Sequence, residues 1–117
     1  MEVMDMTAYE ELRKQIPKVT GSLVRMRQET SRDAVVPAKY KILAALSIVI
    51  VMKCEPCIKA YSKMAFKAGV NQDEFVEFLN VPITEGGCPG EQWAMLAYKV
   101  YIDLIGGAEI EEDVCCE

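Results

Sequence analysis

From Ile42 to Met52 the chain reads ILAALSIVIVM, eleven residues with Ser47 as the one polar interruption. Such a run has to be enclosed around most of its circumference, yet it falls well short of the roughly 20 residues needed to cross a bilayer. It therefore reads as a helix surrounded by other helices or by other subunits. No segment combines β-branched alternation with hairpin turn residues, so the rest of the chain is read for helices as well.

Pro17 suits a first helical turn, which separates a short helix over Ala8–Gln15 from a second running from Pro17 to about Gln28. The polar stretch ETSRDAVV then reads as a loop ending at Pro37, where AKYKILAALSIVIVMK begins the apolar helix. A fourth helix follows CEPC through IKAYSKMAFKAG and stops at Gly69. Asn71 and Glu74 have capping-box spacing and start FVEFLN, which Pro82 is expected to close, and TEGGCPG over 84–90 reads as a turn. Trp93, Leu96, Ala97, Val100, Tyr101 and Leu104 mark one face of a last helix, ended by Gly106 and Gly107. The expectation is an all-α bundle of five to six helices, one domain over 1–117 with its core at about 8–105 and an acidic tail at 108–117. The apolar helix has little polar surface of its own, so a homo-oligomer is expected.

At 117 residues the chain suits one domain. A net charge of -5 gives a field that repels phosphate backbones, which excludes a general nucleic-acid binder. The opening MEVMDMTAYEELRK carries acids where a secretory signal has a basic region and an apolar run, so a cytoplasmic protein is expected, with no membrane partner. Five cysteines, an odd number without secretory context, point to thiol or metal chemistry and away from a disulfide scaffold. Histidine is absent, which removes every Ser/His, Cys/His and His-ligated site. Neither a cofactor nor a resident metal is expected.

The chemistry concentrates in KCEPCIKAY, Lys53–Tyr61. On a helix, positions 54, 57 and 61 fall within roughly 60° of one another, so both sulfurs and the Tyr61 ring share a face. Pro56 belongs in a first turn, which sets Cys54 near the N-cap and Cys57 one turn in, where backbone N–H groups and the helix dipole favour negative charge. Lys53 and Lys59 act in the same direction and Glu55 against it. Three readings stand: a redox dithiol, two small buried residues, or half of a zinc site completed by Cys88 with Cys115 or Cys116. The redox reading ranks first, because the second half lacks C-x-x-C spacing. Otherwise Cys88 reads as a turn residue, Cys115 and Cys116 as part of the tail, and Trp93, Tyr98 and Tyr101 as core aromatics.

The order of apolar helix, C-x-x-C, IKAYSKMAFKAGV, capped acidic helix and GGCPG before an aromatic-rich helix resembles the carboxymuconolactone decarboxylase and alkylhydroperoxidase D-like family, over about residues 8 to 105. The resemblance implies an all-helical fold assembling as trimers or hexamers. In the C-x-x-C branch it implies a thiol peroxidase or disulfide reductase that takes a peroxide or disulfide substrate and draws on a thiol reductant. Both cysteines carry over as catalytic residues, with attack assigned to Cys57 and resolution to Cys54. Position in the helix instead favours Cys54 as the more exposed nucleophile. The family's proton relay does not carry over: its histidine position holds Tyr61 and its glutamate position holds Ile42. A phenol is a poor base at neutral pH, so peroxidase activity should be weak, while thiol-disulfide exchange demands less of a relay. The alternatives are a non-catalytic, oligomeric small-ligand-binding protein of the same fold, and a lactone decarboxylase.

Overall fold

The computed structural model describes residues 6–109 as five helices: α1 Met6–Gln15, α2 Pro17–Ser31, α3 Ala38–Val51, α4 Glu55–Lys67 and α5 Gln72–Ile105. Among the described residues there is no strand, and no helix is long and apolar enough to cross a membrane. The all-α expectation holds.

One core joins α3, α4 and α5. Ile42, Leu43, Leu46 and Ile50 of α3 meet Ile58 and Ala65 of α4 and Phe75, Leu79, Ala94, Ala97 and Tyr101 of α5. The apolar helix is only half enclosed within the chain, for Ile48, Val51 and Met52 stay exposed on its other side. Outside this core, α1 packs on α2 and α2 leans on α3, burying none of its own residues.

Two expected boundaries are corrected. Helix α2 runs to Ser31, past Gln28, because Glu29, Thr30 and Ser31 contain no breaker and the turn is enforced only afterwards. Asp33 makes that turn, its carboxylate accepting the Ala38 N–H at 2.7 Å and capping α3, while Lys41 Nζ donates to the Arg32 carbonyl at 2.8 Å. Pro82 does not close a helix, and the turn expected over 84–90 narrows to a reversal at one residue. The helical run continues through Pro82, and Gly87 alone leaves helical conformation, at φ 63° and ψ -147°, a region essentially restricted to glycine. The lost hydrogen bond at Pro82 is offset because the residue is fully buried. At Gly87 the chain doubles back, so α5 is a helical hairpin. Its second arm returns close enough that a methyl on Gly90 would run into the Pro82 carbonyl oxygen.

The open end of the hairpin is tied by aromatics. Phe75 stacks on Tyr101 with centroids 4.2 Å apart, Phe66 meets Tyr101 edge-on at 5.9 Å, and the Tyr101 hydroxyl donates to the buried Val70 carbonyl at 2.6 Å. Tyr98, expected in the core with Tyr101, is instead exposed. The Asn71–Glu74 capping box forms as the spacing predicts. Lys39 Nζ reaches Glu74 at 2.9 Å and fastens the start of α3 to that of α5. The Asn71 backbone N–H first, and Lys39 second, hold the Glu74 carboxyl below its usual range, and Glu74 in turn raises Lys39.

Candidate dithiol site

The two cysteines are placed by the way α3 ends. Lys53 adopts φ 60°, its N–H donating to the Ile50 carbonyl at 3.0 Å, and the Cys54 N–H reaches back to Val49 at 3.1 Å. This is a Schellman closure with lysine at the position that normally takes glycine. The same pattern closes α4 at Gly69 and α5 at Gly107, where the residue is glycine as expected. Cys54 then serves immediately as the N-cap of α4, with φ -87° and ψ 93°, and its carbonyl accepts the Ile58 N–H at 2.9 Å. Because no residue is spare between the two helices, both backbones hold the first sulfur-bearing residue in place.

Cys57 lies one turn into α4 and is 8% exposed, whereas Cys54 is only partly buried. Cys57 and Ala60 form a small buried cluster of their own, against which Val49, Cys54 and Tyr61 pack. The three residues singled out by the sequence are thus brought together. Ile42, at the family's glutamate position, is not in this cluster but in the main core. Next to Tyr61, the Ser62 hydroxyl is fully buried with no hydrogen-bond partner among the described residues.

The zinc constellation does not assemble among the described residues, where no three His, Cys, Asp or Glu side chains gather as a ligand set. Cys88 sits exposed just after Gly87, at the hairpin bend. Cys115 and Cys116 lie outside the described residues.

Sequence reasoning missed a cavity that reaches Tyr61. A pocket of about 210 Å³ opens between α2 and α4, lined by Arg27, Gln28, Ser31, Arg32, Tyr61 and Met64. Placing residues 29–36 in a loop left Ser31 and Arg32 without a face, although the run RMRQETSR already carried the signal of several cations on one short segment.

The family model for carboxymuconolactone decarboxylases matches residues 17–99. The chain belongs to this family. The matched stretch runs from the first residue of α2 into the second arm of α5, so the carboxymuconolactone decarboxylase segment includes both the dithiol and the pocket. A crystal structure of a carboxymuconolactone decarboxylase family protein from Legionella pneumophila aligns with a TM-score of 0.77 at 23% identity, covering 84% of this chain and 88% of that one. At that identity the likeness is one of fold. No curated protein sequence matches the chain.

Proposed function

We propose that this protein is a dithiol oxidoreductase of the carboxymuconolactone decarboxylase family in which Cys54 and Cys57 cycle between dithiol and disulfide. The observation carrying this reading is the packing of Cys54 and Tyr61 against the cluster that Cys57 forms with Ala60 at the start of α4. In exchange with a disulfide, one thiolate of the pair attacks a substrate sulfur, the other then displaces the bound half, and the substrate leaves as two thiols. With a hydroperoxide, the thiolate takes the distal oxygen, the O–O bond breaks, and an alcohol leaves with a proton. The sulfenic acid then condenses with the second thiol, releasing water. Tyr61 is the hydroxyl donor at the cluster, and Ile42 supplies no acid-base group, which favours disulfides over peroxides as substrates.

The greater exposure of Cys54 supports it as the attacking sulfur and Cys57 as the resolving one, the reverse of the order the family resemblance implies. A reducing compartment such as the cytoplasm would keep the pair ready. The exposed apolar surface of α2 and α3 supports assembly with further copies of the chain. To test the dithiol reading, reduced protein is mixed separately with a disulfide and a hydroperoxide and followed by mass. Loss of two hydrogens confined to Cys54 and Cys57 is expected, and intact thiols after both oxidants would refute it. Burial of Cys57 favours the second reading, a small-ligand-binding protein without turnover. Native-state resistance of both thiols to iodoacetamide would select that one.

A further inference from the structure

Between the two arms of the α5 hairpin lies a groove of about 230 Å³. Buried Leu79 and Ala94, with half-buried Ile83, give it an apolar floor, while Asn80, Glu91 and Tyr98, all exposed, bring polar atoms to its walls. The fold itself holds this groove open. The arms touch near the bend, where Gly90 meets the Pro82 carbonyl, and they are tied again at the far end by Phe75 stacked on Tyr101. With the spacing of the arms fixed at both ends, a ligand would have little to reorganise on entering. Met95 and Tyr98, the large side chains of the second arm that the core leaves exposed, both line the groove.

The polar groups are spread along its length. Ile83 and Glu91 each stand four residues from Gly87, whereas Val76 and Tyr98 each stand eleven, so Glu91 lies toward the bend and Tyr98 toward the open end. The seven residues from Glu91 to Tyr98 amount to about 10.5 Å of helix at 1.5 Å per residue, and Asn80 comes from the other arm between these two levels. Among the described residues Glu91 takes part in no ion pair or hydrogen bond, and Lys99, the cation next to Tyr98 in the chain, is held by Asp103 at 2.9 Å. One end therefore offers a carboxylate to a cation, the other offers a ring to a ring, and hydrocarbon lies between. The net charge of -5 adds to the attraction for a cation and repels an anion. We infer that the hairpin groove is a binding site for arylalkylamines, small molecules in which a short chain joins an ammonium to an aromatic ring, with the ammonium at Glu91 and the ring against Tyr98. The site is independent of the dithiol reading, since Glu91, Tyr98 and the floor residues all lie outside the Cys57 cluster.

Phenethylamine is the probe, titrated into the full chain with binding read from the Met95 methyl and Tyr98 ring resonances. Saturable binding is expected, with the neutral 2-phenylethanol about fivefold weaker, the most that an exposed ion pair ordinarily carries, and 3-phenylpropanoate weaker still. Glu91→Gln should bring phenethylamine down to the level of the alcohol and leave the alcohol unchanged. Tyr98→Leu should weaken both by about fivefold. Glu77→Gln removes a carboxylate from the first arm outside the groove lining and should change little, which separates contact with Glu91 from the general field. Equal binding of 3-phenylpropanoate, or unchanged phenethylamine binding in correctly folded Glu91→Gln and Tyr98→Leu variants, would overturn the site. Absence of saturable binding would overturn it as well, and a Met95 resonance that then shifts with protein concentration would identify a second copy of the chain as the occupant. The readout involves neither cysteine, so failure of this site and failure of the dithiol reading are separate results.

Discussion

Lys53 stores strain where the chain turns into the candidate site. A residue with a Cβ in left-handed conformation costs about 1–2 kcal/mol, and glycine there would relieve it at some expense in unfolded-state entropy. Lys53→Gly is therefore expected to stabilise the fold by about 0.5–1 kcal/mol, measurable by urea denaturation, and a loss of stability would contradict the strained reading. Tyr101 makes a different wager at the opposite end of α4. Burial, and secondarily the charge of Glu74, raise its phenol above the usual tyrosine range. A raised folded-state value means that the native protein holds the proton more tightly than the unfolded chain. Its contribution is complete below about pH 10 and declines as pH climbs through the folded value. Tyr101→Phe should flatten that alkaline decline. At neutral pH it should cost about 1–2 kcal/mol, because the buried Val70 carbonyl loses its donor. An unchanged alkaline limb in the phenylalanine variant would show that another group carries it.

Helix α5 shows how a single element can be two helices. Its reversal depends on Gly87 for conformation and on Gly90 for room, and only the second is a packing requirement. Gly90→Ala forces a methyl against the Pro82 carbonyl, an atom fixed by the backbone of the other arm, so the arms must separate. Destabilisation of about 1–3 kcal/mol or more is expected from thermal unfolding, larger than for alanine at the exposed Gly106. Comparable melting temperatures for the two variants would argue against close contact of the arms. The capping box, the Gly69 stop and the Trp93–Leu104 face were legible beforehand because each is a local pattern a few residues long. The reversal within 84–90 was legible too, but the helix running through Pro82 was not, since Pro82 reads locally as a stop, and only burial against the returning arm makes it tolerable.

Across the whole molecule, apolar surface remains unaccounted for within one chain. Leu12, Ile16, Val19, Leu23 and Met26 recur at alternating intervals of four and three, and all five are exposed. Of these, Val19, Leu23 and Met26 share one face of α2, roughly 140° around the helix from the pocket-lining residues, so covering that face leaves the pocket open. A second apolar hollow of about 310 Å³ lies between α3 and α5, walled by Ile48, Val51, Met52, Val81 and Pro82 among others. Light scattering at about 0.1 mM is expected to give a mass above that of one chain, and Leu23→Glu with Met26→Glu should return it to the monomer. A wild-type monomer at that concentration would sink this expectation. Residue order alone established an all-helical chain, the start of α4 at Cys54, and a shared face for Cys54, Cys57 and Tyr61, because helical periodicity and cap chemistry act within a turn or two. Tertiary structure decided that Cys57 is the sheltered sulfur, that the α5 arms fold together, and that two arginines of α2 meet the dithiol face of α4. Those facts depend on which helices pack against which, and burial between distant segments leaves no periodic trace in either one.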